Sequence, residues 1–353
     1  MNSKRIVYLD IIRIIAIFTV MIIHVTTSLY ETVPINGYEW QVFNVYESIS
    51  RFCVPIFIMI SGVFFLDPIK DIKLERLFKH NILRIVTAFL FWSFIYACYN
   101  AAESILVRHS TVNSSLLSAF ANDFLYGHYH MWFLFVIVGL YVIVPLLRKI
   151  TEDKKVTEYF LLLSFTFCYL KYFLKAVPHL GNVLVTLYEK IDVSFVMGYS
   201  GFFVLGYYLH TYELTKKEKN ILYALGAGSV LFTIVGTAVL SSRCGYATQE
   251  LYAYLLPTTC FESAAIFVWF KDHVSENTFK ENTLKRLLKL SELTFGMYLL
   301  HDFYNILFQH IGFTAIVFQP IVSVPIISII VFLCSWVTAY LISKIPIVSK
   351  YIM

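Results

Sequence analysis

Charge is what this chain has least of. Asp, Glu, Lys and Arg make up 14% of its 353 residues, against about 25% in an ordinary soluble domain. With 58% hydrophobic residues, a water-soluble globule is excluded. The six cysteines are Cys53, Cys98, Cys168, Cys244, Cys260 and Cys334. No two form a C-x-x-C pair, which argues against a redox couple, a disulfide framework or a zinc site; buried free thiols are expected. There is no G-x-S-x-G nucleophile elbow and no P-loop or G-x-G-x-x-G fingerprint. No internal repeat, low-complexity stretch or long linker divides the chain, so one membrane domain over residues 1–353 is expected.

Long apolar runs are abundant instead. Windows near 20 residues fall at 6–29, 45–66, 82–104, 128–147, 158–176, 192–211, 221–240, 251–270, 291–310 and 320–343. These predict an all-α polytopic membrane protein of about ten transmembrane helices. The runs are too long and unbroken for an outer-membrane barrel, and 32 Phe with 25 Tyr suit interfacial aromatic belts. The first run exceeds a signal-peptide core and lacks a small-residue cleavage site, so it is expected to stay as the first span. Twenty of the 28 Lys and Arg lie before the first span and in alternate loops after it, with six on the opposite side. By the positive-inside rule both termini are expected in the cytoplasm. That asymmetry accounts for the net charge of +5 without nucleic acid, and lipid contact is its secondary use.

The first span carries Asp10, Arg13 and His24, and ionisable groups in lipid normally face a bundle interior or a substrate path. Arg13 and His24 are eleven residues apart, about 20° beyond three helical turns and about 16 Å along the axis. They share one face, with Asp10 placed to pair with Arg13. A cation near the cytoplasmic mouth can hold an anionic donor whose far end reaches the imidazole, and that imidazole can accept a proton from a hydroxyl. A packing network is the bland alternative. His130 and Trp132, at the start of the fourth span, are candidates to line a path for a polar acceptor. His128 and His130 would point apart on a helix, which argues against a metal pair. Tyr298 and His301, three residues apart in the ninth span, form a polar flank that either orients groups near His24 or ties helices together. Ser61-Gly62 reads as a close-packing site rather than a nucleophile. Glu31, Glu39 and Glu47 read as a solvated loop at the outer face.

Four stretches in this order resemble the signatures of the integral-membrane acyltransferases known as acyltransferase family 3, with surface-polysaccharide O-acetyltransferases the nearest in impression. They are Tyr8-Leu9-Asp10-Ile11-Ile12-Arg13-Ile14-Ile15-Ala16 followed by His24; Phe57 to Phe64 with Ser61-Gly62; Tyr129-His130-Met131-Trp132-Phe133-Leu134, with Met131 in place of leucine; and Thr294-Phe295-Gly296-Met297-Tyr298-Leu299-Leu300-His301. The resemblance implies ten spans in a bacterial inner membrane, a cytoplasmic acyl-CoA donor, acetyl-CoA above all, and a sugar hydroxyl on a cell-surface saccharide or glycolipid as acceptor. It makes His24 the catalytic candidate, supported by Arg13 and Asp10. It puts the donor phosphates on Arg13, Arg84, Lys79 and Arg76. The family's basic pair before the third span is incomplete here, because Asn81 stands where the partner of Arg84 is expected. The fused esterase-like and racemase domains of some relatives are not seen. The rival classes are a secondary transporter exporting a lipid-linked sugar, in which the same ionisable groups carry ions or protons, and an assembly partner of a glycan synthase.

Overall fold

The computed structural model describes residues 5–109, 111–175, 185–186, 190, 193, 198–346 and 351–352. Among these residues every regular element is helical. The helices are α1 (Val7–Tyr30), α2 (Tyr38–Ser50), α3 (Cys53–Phe65), α4 (Leu83–Leu106), α5 (Ser114–Tyr126), α6 (Trp132–Val142), α7 (Val144–Thr151), α8 (Lys154–Ser164), α9 (Leu170–Lys175), α10 (Ser200–Thr211), α11 (Lys216–Cys244), α12 (Pro257–His273), α13 (Glu281–His310) and α14 (Pro320–Ser343).

Seven helical stretches are long and apolar enough to cross a bilayer: Val7–Tyr30, Tyr38–Phe65, Leu74–Leu106, Ser114–Val142, Lys216–Cys244, Glu250–His273 and Pro320–Ser343. The chain is a multi-pass membrane protein. Of the other three expected spans, 158–176 and 192–211 run partly outside the described residues. The stretch 291–310 belongs to α13, which has the length, 30 residues, but carries Glu292, His301, Asp302 and Asn305.

α1 is rich in isoleucine and valine, which are modest helix formers in water. Inside a bilayer the backbone must satisfy itself, and the helix is the available answer. No Gly or Pro interrupts it, and the chain turns only beyond it, where Gly37 N–H donates to the Pro34 carbonyl at 2.8 Å. α1 sits at the centre of the bundle, packed against α2, α3, α12, α13 and α14. The periphery is lipid-like, with Leu231, Val235 and Val239 on α11 and Leu333, Val337 and Leu341 on α14 all exposed.

Two prolines bend the bundle where their missing N–H groups require it. Pro55 sits in the first turn of α3, and the α2–α3 break falls at Arg51–Phe52, around the carbonyl that Pro55 cannot bond. Pro325 lies inside α14; the Ile321 carbonyl it leaves unpaired accepts from the Tyr46 hydroxyl at 2.8 Å. α3 and α10 approach backbone to backbone. A Cβ on Gly62 would lie 1.8 Å from the Phe203 carbonyl oxygen, and one on Gly206 would lie 2.1 Å from that of Met59. Ser61-Gly62 is thus a close-packing site.

Glu47 corrects the solvated-loop reading. It is 1% exposed, ion-paired one turn along with Arg51, and accepts from the Thr26 and Thr27 hydroxyls at 2.5 and 2.7 Å. Arg51 stacks over Tyr252 at 4.5 Å. A buried carboxylate needs a cation and donors of this kind, and α1 and the α2–α3 break supply them.

Candidate functional site

α1 carries two polar districts. At its amino-terminal end a cavity of about 560 Å³ opens between α1, α3, α4, α6 and α13, with Arg13, Ser61, His80, Asn81, Arg84, Tyr141, Ser291 and Glu292 among its lining. Its far wall is Phe133, Leu134 and Tyr298. The segment bearing His80 and Asn81 is a wide helical turn, Leu77–Ile82, entering α4. Such turns recur at functional sites.

Asp10 is buried beside this cavity without lining it. Its carboxylate accepts from Ser291 Oγ at 2.6 Å and from Arg5 Nε at 2.9 Å. Arg13 stands farther off, with Nη1 3.6 Å from Asp10 Oδ1 and 3.4 Å from Ser291 Oγ. The expected Asp10–Arg13 pair therefore exists, but Arg5 is the tighter partner. Arg5 also reaches Glu292 and the Leu288 carbonyl, both at 2.8 Å, and so straps α1 to α13. Arg84 lines the cavity with its guanidinium over the Phe295 ring at 5.8 Å. Lys79 pairs with Glu75 at 2.9 Å on the surface, and Arg76 is exposed. Neither lines the cavity; from that turn His80 and Asn81 do.

Toward the other end of α1, His24 projects into a cluster of rings. Its centroid is 4.8 Å from His301, 5.3 Å from Tyr129 and 6.2 Å from His130. His130, His301 and Asp302 are buried, whereas His24 is half-buried and Tyr129 is exposed, so the cluster opens on the side of His24 and Tyr129. Tyr298 joins the two districts. It lines the cavity, its hydroxyl donates to the His130 carbonyl at 2.5 Å, and its ring stacks with His301 at 5.9 Å. The cavity thus ends one aromatic ring away from the imidazoles. Trp132 lies to the side, stacked on Tyr254 at 5.8 Å.

His128 departs from its helical reading. It precedes a single tight turn, Tyr129–Met131, and its own backbone is extended. The two rings therefore converge, with the Nδ1 atoms of His128 and His130 3.1 Å apart. Asp302 Oδ2 lies 3.2 Å from His128 Nδ1 and 4.0 Å from His130 Nδ1. His24, His301 and Asp302 form a second convergent set. Both have donors of the type that zinc accepts, and both also suit proton sharing through hydrogen bonds.

Sequence reasoning gave no role to Tyr129, Asp302 or Asn305. Tyr129 hydroxyl donates to Asp302 Oδ1 at 2.7 Å and lies 2.9 Å from His24 Nδ1. Asn305 Nδ2 donates to the His24 carbonyl at 3.1 Å. An aspartate buried in mid-span directly after a histidine was the available signal.

The helical membrane bundle therefore carries a cavity lined by Arg13 and Arg84 and backed by a cluster of imidazoles. The chain belongs to acyltransferase family 3: a family model described as an acyltransferase domain matches residues 6–340. Neither a curated protein nor a solved structure matches it. The protein is a membrane enzyme that transfers acyl groups, and the family assignment weighs against the transporter reading.

Proposed function

We propose that the enzyme transfers an acyl group, acetyl from acetyl-CoA being the simplest case, to a hydroxyl of a cell-surface or lipid-linked saccharide, with His24 as general base. One observation carries this reading: a cavity lined by Arg13 and Arg84 ends at Tyr298, against the cluster that holds His24. The CoA phosphates take charge-assisted contacts from Arg13 and Arg84, with Lys79 and Arg76 attracting them from the nearby surface. The pantetheine arm runs along Phe133 and Tyr298. The acceptor approaches from the opposite leaflet past Trp132, toward His130, Tyr298 and His301.

His24 removes the acceptor's proton as the oxygen attacks the thioester carbonyl. The C–S bond breaks, and the CoA thiolate leaves and takes that proton back from the imidazolium. Asp10 holds Arg13 and Arg5 at the donor end. The excess of basic residues in alternate loops supports cytoplasmic termini and donor access from the cytoplasm of a bacterial inner membrane. In this arrangement 158–176, 192–211 and 291–310 complete ten spans.

Purified enzyme in lipid vesicles, given labelled acetyl-CoA and candidate saccharides, is expected to acetylate one of them. His24→Ala should lower kcat by about 10²–10⁴-fold with an unchanged melting temperature. Undiminished transfer by that variant removes the proposal.

A further inference from the structure

The atoms around His24 carry more than a candidate base. Its Nδ1 faces the Tyr129 hydroxyl at 2.9 Å, and that hydroxyl is 2.7 Å from Asp302 Oδ1. A phenol has one hydrogen to give, and an ionised carboxylate only accepts. The hydrogen therefore goes to Asp302, and the phenolic lone pair accepts from His24 Nδ1–H. Only one tautomer of a neutral His24 satisfies this chain, the one with Nδ1 protonated and the Nε2 lone pair available.

We propose that Tyr129 and Asp302 are positioning residues that fix this tautomer of His24 and so aim its Nε2 at the acceptor hydroxyl, an inference that rests on His24 being the base. When Nε2 takes the acceptor's proton, the imidazolium charge is stabilised through Tyr129 by Asp302. The same proton leaves Nε2 for the departing thiolate, and the relay ends each cycle as it began. Asp302 is fitted to this task by its surroundings. It is 1% exposed, so its charge is poorly screened. Asn305 Nδ2 lies 3.5 Å from Oδ1, and the same amide donates to the His24 carbonyl, tying α1 to α13 at the height of the imidazole. His301 is held separately, its Nδ1 2.6 Å from the Tyr298 carbonyl, so it does not compete for Tyr129.

The test is Asp302→Asn and Tyr129→Phe, assayed beside His24→Ala in vesicles with labelled acetyl-CoA and the accepted saccharide. The amide of Asp302→Asn can donate to the phenolic oxygen, which turns the Tyr129 hydrogen toward Nδ1 and leaves the proton on Nε2. Tyr129→Phe removes the link altogether. Both variants are expected to lose about 10²–10⁴-fold in kcat while KM for donor and acceptor stays within about threefold of the parent. Asp302→Glu should recover part of that loss. A purely structural role would move the melting temperature or KM instead. If His24→Ala is inactive but the other two keep wild-type kcat, the relay is wrong and the base stands. If His24→Ala is active, both fail. Should Asp302→Asn not fold, Tyr129→Phe decides alone. Stoichiometric zinc in the purified enzyme that is lost in Asp302→Asn overturns the relay by assigning the carboxylate to a metal.

Discussion

The two ends of α1 use polar residues in opposite ways. Near Arg13 they line an open cavity in which that guanidinium makes long contacts, 3.4 and 3.6 Å, beside a tight Arg5, Asp10, Ser291 and Glu292 set at 2.6–2.9 Å. Near His24 they close on one another, with Asp302, His130 and His301 buried and bonds of 2.5–2.7 Å linking them to tyrosines and backbone. Open cations suit a solvated, multiply charged ligand that must come and go. A cluster buried at His130, His301 and Asp302 suits proton transfer, where each group's orientation decides the outcome. In the proposed function, one helix separates binding from chemistry by about 16 Å.

That contrast can be broken in graded steps. The largest effect should follow His24→Ala, which removes the base and leaves donor binding intact; equilibrium binding of acetyl-CoA to the variant checks the second half. Glu47→Gln should come next. It strands the buried Arg51 charge and should cost about 3–5 kcal/mol of stability, read by unfolding in detergent. Arg84→Gln should raise KM for acetyl-CoA about ten- to a hundredfold, the worth of a charged hydrogen bond at ~1.5–3 kcal/mol, with kcat nearly unchanged. A fall in kcat instead would blur the division between the two ends. Lys79→Ala, on a surface pair, should change KM by less than about twofold.

Much of this was legible in the sequence. Arg13 and His24 share a face because the helical period requires it, and the apolar runs located the seven long spans. The acidic and basic pair Glu47 and Arg51 was present at one-turn spacing, but its burial depends on Thr26, Thr27 and Tyr252 from other elements, which local spacing does not reveal. A helical period points His128 and His130 apart, whereas a single tight turn re-aims both rings toward each other. Tyr129 and Asp302 are 173 residues apart, and their meeting is a product of α13 packing against the turn that precedes α6. Of Lys79 and His80, the two side chains near enough in sequence to stand in for the missing partner of Arg84, the wide turn presents His80 to the cavity and leaves Lys79 on the surface.

The glycine contact between α3 and α10 has a mechanical consequence. Phe57, Ile60 and Ser61 form one side of the cavity beside Arg13, and Gly62 pins that side to the Phe203 backbone with no room for a side chain. A wall riveted in this way cannot yield when a bulky nucleotide arrives. Any widening must come from the opposite side, at Leu77–Ile82, where wide-turn hydrogen bonds can re-pair at low cost. Backbone hydrogen exchange should be slow at residues 57–62 and faster at 77–82, with acetyl-CoA slowing the second segment, as expected of a fixed anvil facing a movable jaw.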